Sequence, residues 1–92
     1  MTEKKIRTLE RVFKGISNHW RIRTLLLVAE RPGITLGEIV SELKGNYQTL
    51  SEHVKRVRSA GLITKQYHGR SVAHSLSPFG QKAVKILKTF LD

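Results

Sequence analysis

The stretch over residues 34–62 constrains the fold most, because it has the pattern of two short helices joined by a tight turn. Thr35 is followed three residues later by Glu38, the spacing of a capping box at the start of a helix. Lys44-Gly45-Asn46 then ends this helix, since glycine tolerates the left-handed conformation that commonly closes a helix and asparagine is a good cap for the next one. We therefore expect a helix-turn-helix over about residues 35–60.

The second helix of this pair separates apolar from polar side chains. Leu50, Val54 and Val57 recur at i, i+4 and i+7, which places them on one face toward a core. The opposite face carries amide, hydroxyl, carboxylate and ammonium groups, which can read base edges in a DNA major groove. The residues expected to contact DNA from this helix are Tyr47, Gln48, Thr49, Ser51, Glu52 and Lys55. For Tyr47, stacking against the first helix of the pair is an equal alternative. The same pattern also fits an αα-hairpin of a small helical bundle, with the polar face merely solvated.

The length of the chain limits the number of domains, and its net charge limits the kind of partner. The 92 residues are enough for one domain with one core. Lys and Arg number 17 against 7 Asp and Glu, so the net charge of +10 predicts a polyanionic partner or an anionic surface without separating DNA, RNA and lipid.

The absence of cysteine excludes disulfides, thiolate metal sites and cysteine nucleophiles. The longest purely apolar run, residues 25–29, is far too short to cross a bilayer, and the N-terminus lacks the apolar run of a secretory signal. We therefore expect a soluble, cytoplasmic protein without a membrane partner.

Two helices precede the central pair and a hairpin follows it. The apolar pattern predicts helices over about residues 4–16 and 19–30. After Gly61 the period changes from 3.6 to 2 on both sides of Gly69-Arg70, which predicts a β-hairpin, or wing, over about residues 62–77. Its inward face is expected to carry Ile63, Lys65, Tyr67, Val72, His74 and Leu76. Its small, cationic tip is expected to touch DNA through His68, Arg70 and Ser71, the alternative for Arg70 being a solvated loop arginine.

A last helix, over about residues 78–91, begins at Ser77-Pro78, with serine as the cap and proline at the first position. It is apolar over more than half of its circumference, and this apolar surface is wider than one small core can bury. We expect a homodimer through the first and last helices, since an isologous interface is the commonest way to bury such surface. The residues expected at this interface are Ile6, Leu9, Phe13, Val84, Leu87, Phe90 and Leu91. The alternative is a monomer in which both termini pack on the same protomer.

These residues resemble the ArsR-type family of winged helix-turn-helix transcriptional regulators. VFKGISNHWRIRTLLLV is similar to the first two helices of that family, with Arg21 at its frequent arginine, and LSEHVKRVRSAGLI is similar to its recognition-helix signature. Gly69-Arg70 and Ser77-Pro78 keep the family's spacing in the wing and after it. The resemblance implies a mainly α winged helix (α+β), with five helices and a two-stranded β-wing, that regulates by steric blocking of transcription.

The resemblance does not extend to the metal sites of the family. Many members bind metals through cysteines on the first helix of the helix-turn-helix, or through Asp and His on the last helix. Here the former has no cysteine or histidine, and the latter has no histidine and only Asp92 as a carboxylate. The histidines His19, His53, His68 and His74 also lack zinc-binding spacing. We therefore predict neither a metal nor another cofactor.

Two of these histidines have a structural alternative. His53 matches the histidine of the family's recognition helix and either donates to a phosphate or is satisfied inside the protein; its place between Leu50 and Val57 favours the second role. His74 lies on the inward face of the hairpin, so a packed ring is favoured over a ligand.

Together, these features predict a single domain over residues 1–92 that binds double-stranded DNA sequence-specifically as a homodimeric repressor on an inverted-repeat operator. The alternatives are a non-specific architectural nucleic-acid-binding protein and a winged-helix protein-interaction module. An enzyme is not predicted, because no histidine and carboxylate stand in a recognisable catalytic motif with a serine. The sequence identifies no small-molecule effector.

Overall fold

The computed structural model describes residues 1–92, and the expected winged helix with five helices is confirmed. The helices are α1 (Glu3–Ile16), α2 (His19–Glu30), α3 (Leu36–Leu43), α4 (Tyr47–Ser59) and α5 (Pro78–Leu91). The strands are β1 (Ile34–Thr35), β2 (Ile63–His68) and β3 (Ser71–Leu76). None of the helices combines the length and apolar character needed to cross a membrane.

The helix-turn-helix is held by the predicted caps. The hydroxyl of Thr35 accepts from the backbone N–H of Glu38 at 3.2 Å, and the Glu38 carboxylate accepts from the backbone N–H of Thr35 at 3.0 Å. Asn46 caps α4 by accepting from the backbone N–H of Thr49 at 3.0 Å. These caps satisfy donors that the first turn of a helix leaves unpaired.

The interpretation of the turn between α3 and α4 was wrong in one detail. The left-handed residue is Lys44, with φ 55°, and not Gly45. Gly45 is needed for space instead, because a Cβ there would collide with the side chain of Leu50 and lie 3.5 Å from the ring of Trp20.

The core is organised around α2, which packs against α1, α3, α4, α5 and β3. The sequence predicted that Ile22, Leu25, Leu26 and Ala29 face inward; Leu25 is fully buried and the other three are half-buried against the core. Thr24, Leu27 and Val28 are also buried and were missed, because a helix enclosed by several elements buries more than one stripe. The Thr24 hydroxyl donates to the carbonyl of Trp20 at 2.8 Å.

The wing is part of a three-stranded antiparallel sheet with the order β1-β3-β2, rather than an isolated two-stranded hairpin. The predicted two-residue tip is confirmed by the pairing of His68 with Ser71. The additional strand β1 pairs Ile34 with His74. It has only two residues, too few to show a strand period.

The predicted inward face of the hairpin is only partly buried. Ile63 and His74 are each 2% exposed and pack into the protein, whereas Lys65 and Tyr67 on the same face are exposed. The hairpin therefore extends past the helices, which cover only its base.

Two histidines connect elements of the fold through hydrogen bonds. The guanidinium of Arg21 donates from Nε to Nδ1 of His53 at 3.1 Å and from Nη1 to the carbonyl of Lys14 at 2.7 Å, so it joins α1, α2 and α4. Nδ1 of the buried His74 lies 3.1 Å from the carbonyl of Ile34, which can only accept, so this nitrogen carries the proton. Burial lowers the pKa of both rings, and the positive charge of Arg21 lowers the pKa of His53 further. The structural role is thus favoured for His53.

Gly80 allows α5 to start directly against the segment that leaves α4. A Cβ on Gly80 would collide with the carbonyl of Leu62. The cap Ser77 fixes the same junction, because its hydroxyl accepts from the backbone N–H of Gly80 at 2.9 Å and donates to the carbonyl of Gly61 at 2.6 Å.

Replacing Gly80 by Ala is expected to lower the free energy of unfolding by about 1–3 kcal/mol, because the methyl group forces α5 away from Leu62. Urea unfolding measures this change. Gly37→Ala is the matched control: its Cβ meets nothing within 4 Å in α3, so that variant should be unchanged or about 0.5–1 kcal/mol more stable. Equal stabilities of the two variants would contradict the close approach at Gly80.

Stability is expected to fall as the pH is lowered below the ordinary histidine pKa of 6.5 toward the lowered values of His53 and His74. In this window the unfolded chain binds more protons than the folded one, so the free energy of unfolding rises with pH. In His53→Gln the amide oxygen can still accept from Arg21 but does not titrate, so thermal melts from about pH 7.5 to pH 5 should show a shallower pH dependence. His68→Gln, at the exposed wing tip, is the control. If the pH dependence of stability in His53→Gln were parallel to that of the wild type, His53 would not contribute to it and the prediction would be wrong.

Candidate nucleic-acid interface

The polar face of α4 forms an exposed ridge, because Leu50, Val54 and Val57 are all buried on the opposite face. This outer ridge consists of Gln48, Glu52, Lys55 and Ser59, all exposed. Tyr47 and Thr49 are exposed at the start of the helix, and Ser51 is half-buried beside the ridge. The helix thus presents short polar side chains and one long cation along its free side.

Glu52 on the outer ridge is paired with Arg56 one turn later. Nε of Arg56 donates to the Glu52 carboxylate at 3.1 Å, and the two side chains are 61% and 55% exposed, respectively. An exposed pair of this kind contributes at most about 1 kcal/mol. The carboxylate can therefore exchange this partner for another donor at little cost.

A cleft of about 390 Å³ lies between α4, the hairpin and the start of α3; we call it the wing-side cleft. Four cationic side chains line it and no carboxylate does. The cations are Lys55, Arg58, Lys65 and Arg70, and the other lining residues are Thr35, Leu36, Gly37, Tyr47, Ser51, Val54, Ser71, Val72 and His74. Positive charge concentrated in a concave surface attracts anions strongly, and guanidinium and hydroxyl groups bind phosphate oxygens.

The wing-side cleft brings together part of the predicted DNA-binding set. Tyr47, Ser51 and Lys55 from α4 meet Arg70 and Ser71 from the hairpin. Gln48, Thr49, Glu52 and His68 are exposed but do not line the cleft.

Arg58 and Lys65 were missed as members of the cleft. Arg58 follows Ser51 by seven residues and therefore lies on the same stripe of α4, a signal that the sequence did contain. Lys65 pairs with His74 in the hairpin and had been placed on a packed face. Its ammonium lies 5.2 Å from the centre of the Tyr67 ring, and the interaction with Lys65 lowers the pKa of that phenol.

Away from the wing-side cleft, an apolar groove of about 140 Å³ runs between α1 and α5. It is lined by Leu9, Val12, Phe13, Ile16, Phe79, Lys82, Ala83, Ile86, Leu87 and Phe90. Phe13 and Ile86 are each 54% exposed and Phe90 is 73% exposed, so this groove leaves large apolar side chains in water.

The groove contains four of the residues predicted for the dimer interface, namely Leu9, Phe13, Leu87 and Phe90. Ile6 and Leu91 are exposed but do not line it. Val84 is only 7% exposed because it packs within the core of the protomer. Ile86 was not in the predicted set.

No cluster of three or more His, Cys, Asp or Glu side chains in residues 1–92 is arranged to hold a metal ion.

No protein-family model matches the chain. Among curated proteins, the chain is 30% identical over 67 residues to the arsenic resistance transcriptional regulator ArsR2 of Pseudomonas putida. The match covers 73% of this chain and 58% of ArsR2, so the chain spans less than two thirds of the length of that relative.

Solved structures agree with the fold over nearly the whole chain. HlyU from Vibrio cholerae superposes with a TM-score of 0.82 at 26% identity, covering 98% of this chain and 97% of HlyU. A homodimeric winged helix-turn-helix DNA-binding domain from Mycobacterium bovis, Mb0332, a possible ArsR-family regulator, has a TM-score of 0.81 at 19% identity, with coverage of 99% of this chain and 86% of that domain. The second likeness supports the fold alone. With the matches to ArsR2 and HlyU and the capped helix pair with its wing, the resemblance of the chain to winged helix-turn-helix transcriptional regulators of the ArsR type is confirmed.

Proposed function

We propose that the protein is a sequence-specific double-stranded DNA-binding transcriptional regulator, acting as a homodimeric repressor on an inverted-repeat operator. The observation that carries this proposal is the outer ridge of α4 standing beside a four-cation cleft without a carboxylate. A net charge of +10 supports a polyanionic partner. That ArsR2 is itself a transcriptional regulator supports the same class of function.

The outer ridge reads the bases in the major groove. Gln48 suits adenine through a bidentate amide contact, Lys55 suits guanine, and Glu52 can accept from the amino group of cytosine once it leaves Arg56. A good bidentate contact contributes about 1–3 kcal/mol of discrimination against the wrong base. Sequence preference therefore arises from a few side chains on one helix.

The wing-side cleft holds the DNA backbone. Arg58, Lys65 and Arg70 supply cations to phosphates, and Ser51 and Ser71 supply hydroxyl donors. The exposed side chains of Tyr47, Thr49 and His68 complete the proposed backbone contacts. These contacts fix the register of α4 in the groove without reading sequence.

The apolar groove between α1 and α5 is covered by a second copy of the chain. Phe13, Ile86 and Phe90 supply large apolar surface of the kind that homodimer interfaces bury, with Ile6, Leu9, Leu87 and Leu91 around them. Mb0332, a domain with the same fold, is itself homodimeric. A symmetric dimer presents α4 twice, so the operator has two inverted half-sites about one helical turn, or a small multiple of it, apart. Repression follows if the bound dimer sterically blocks transcription.

Selection of bound duplexes from a random library at physiological salt is expected to return an inverted repeat. Gln48→Ala should relax the preference at one base pair per half-site, at a cost of about 1–3 kcal/mol per half-site. Lys65→Ala should instead weaken binding to all duplexes alike and reduce the slope of log K against log salt by about 0.9 for each phosphate that the variant no longer neutralises.

The outcomes of this selection separate the competing functions. Equal affinity of the wild type for selected and scrambled duplexes would contradict sequence reading and favour an architectural DNA-binding protein. No binding to any duplex would favour a protein-interaction module.

Phe13→Glu is expected to weaken the dimer at least about 30-fold, because an aromatic anchor at the centre of an interface typically contributes about 2 kcal/mol or more. Sedimentation equilibrium measures the change. The matched control is Tyr67→Glu, which puts the same charge on an aromatic residue that is 63% exposed on the hairpin, outside the apolar groove. Dissociation of both variants, or of neither, would argue against the proposed interface.

A further inference from the structure

A second cationic groove lies on the other flank of α4, between that helix and α1; we call it the α1-side groove. It has a volume of about 380 Å³ and is lined by Glu10, Arg11, Lys14, Gly15, Arg21, Arg56, Ser59 and Ala60. Four of these side chains are cationic and one is a carboxylate.

The fold fixes α1 rigidly against the recognition helix at this groove. A Cβ on Gly15 would collide with that of Ala60, so only glycine permits this approach of the two helices. Arg21 ties the same elements together through the Lys14 carbonyl and the ring of His53. Arg21 is therefore committed to contacts within the protein, whereas Lys14 and Arg56 are held only by exposed ion pairs that a ligand can replace at little cost.

The cations of α1 continue this groove along the helix. Lys4, Arg7, Arg11 and Lys14 are spaced by three, four and three residues, which places them on one stripe. This cationic stripe lies on a different face of α1 from the apolar residues that line the apolar groove between α1 and α5. A dimer formed through the apolar groove therefore leaves the cationic stripe exposed to water.

Carboxylates offset only part of this charge. Arg7 pairs with Glu3 at 3.2 Å, and Lys14 is 4.0 Å from Glu10, with the Lys14 side chain 77% exposed. Arg11 is exposed and has no ion-pair partner.

The dimensions of the DNA major groove indicate that DNA phosphates are the ligand of the α1-side groove. A helix with its side chains is about 10–12 Å across and the major groove is about 12 Å wide, so the phosphates of the two strands run along both flanks of an inserted helix. On α4, Arg58 projects on the wing flank and Arg56 on the α1 flank, with the outer ridge between them. One cationic hollow thus stands on each side of the base-reading residues.

We propose that the α1-side groove binds the phosphates of the DNA strand opposite to the one held by the wing-side cleft, with Arg11 and Lys14 as the contacts and Arg56 beside them. This inference rests on the proposed DNA-binding function. It gives α1 two tasks on two faces: dimerisation through the apolar face and backbone contact through the cationic stripe.

The test compares Arg11→Ala/Lys14→Ala with Lys85→Ala/Lys88→Ala, which removes two lysines from α5 and changes the charge equally. Alanine favours the helix at all four positions, so both variants should fold. Affinity for the selected operator is measured over a range of salt concentrations. The first variant should flatten the slope of log K against log salt by up to about 3.6 per dimer, from about 0.9 for each of four phosphates that are no longer neutralised, and the control should leave it unchanged.

Two further variants guard against indirect effects. Arg11→Lys/Lys14→Arg keeps both charges and should retain the wild-type slope. Glu10→Gln removes the only carboxylate lining the groove, so it should tighten binding at low salt, a gain that misfolding cannot produce. Because phosphates carry no sequence information, the double alanine variant should weaken binding equally on operator and scrambled duplexes.

The results separate this inference from the function on which it rests. If the wild type prefers its operator but Arg11→Ala/Lys14→Ala behaves like the α5 control, the α1-side groove does not contact DNA and only the inference fails. If the wild type binds no duplex, the proposed function fails and the inference fails with it.

Discussion

The apolar contact between α2 and α4 is the interaction on which the rest of the structure depends. Leu25 and Val28 of α2 and Val54 and Val57 of α4 are all at most 2% exposed in one core cluster. Burial of such a side chain contributes about 1.5–3 kcal/mol, a large part of a net stability of about 5–15 kcal/mol. Because side chains on a helix are fixed relative to one another, anchoring this face of α4 also sets the direction of the outer ridge.

Close approaches between helices, together with the helix caps, then fix the position of the other elements around this contact. Gly15 lets α1 lie against the end of α4, and Gly80 lets α5 start against Leu62, so both terminal helices pack behind the helix-turn-helix. The caps at Thr35, Asn46 and Ser77 determine where α3, α4 and α5 begin. The surface of α4 is therefore positioned by close approaches at Gly15 and Gly80 that tolerate no added methyl group, as well as by the apolar core.

The features that the sequence predicted well depend on neighbours within a few residues. The capping box at Thr35, the cap at Ser77-Pro78 and the two-residue hairpin tip are such local signals, and each agrees with the structure. What was missed depends on distant partners: strand β1 exists only because β3 lies beside it, and Lys65 belongs to the wing-side cleft only because the hairpin extends past the helices. The periodicity of apolar residues in the sequence shows which side chains share a face of a helix or strand. It does not show which other elements that face contacts.

The placement of charge explains more than its total. Five of the seven acidic residues lie in ion pairs, on α1, on α4 and between Arg31 and α3, whereas no carboxylate lines the wing-side cleft. In the proposed function, electrostatic attraction of this kind supplies affinity for any duplex, and sequence preference comes from the outer ridge. Three base-reading side chains at about 1–3 kcal/mol each give about 3–9 kcal/mol, while specific regulators need about 4–10 kcal/mol over non-specific binding. A symmetric dimer doubles the contribution of each ridge, so in the proposed function the apolar groove between α1 and α5 serves specificity as much as stability.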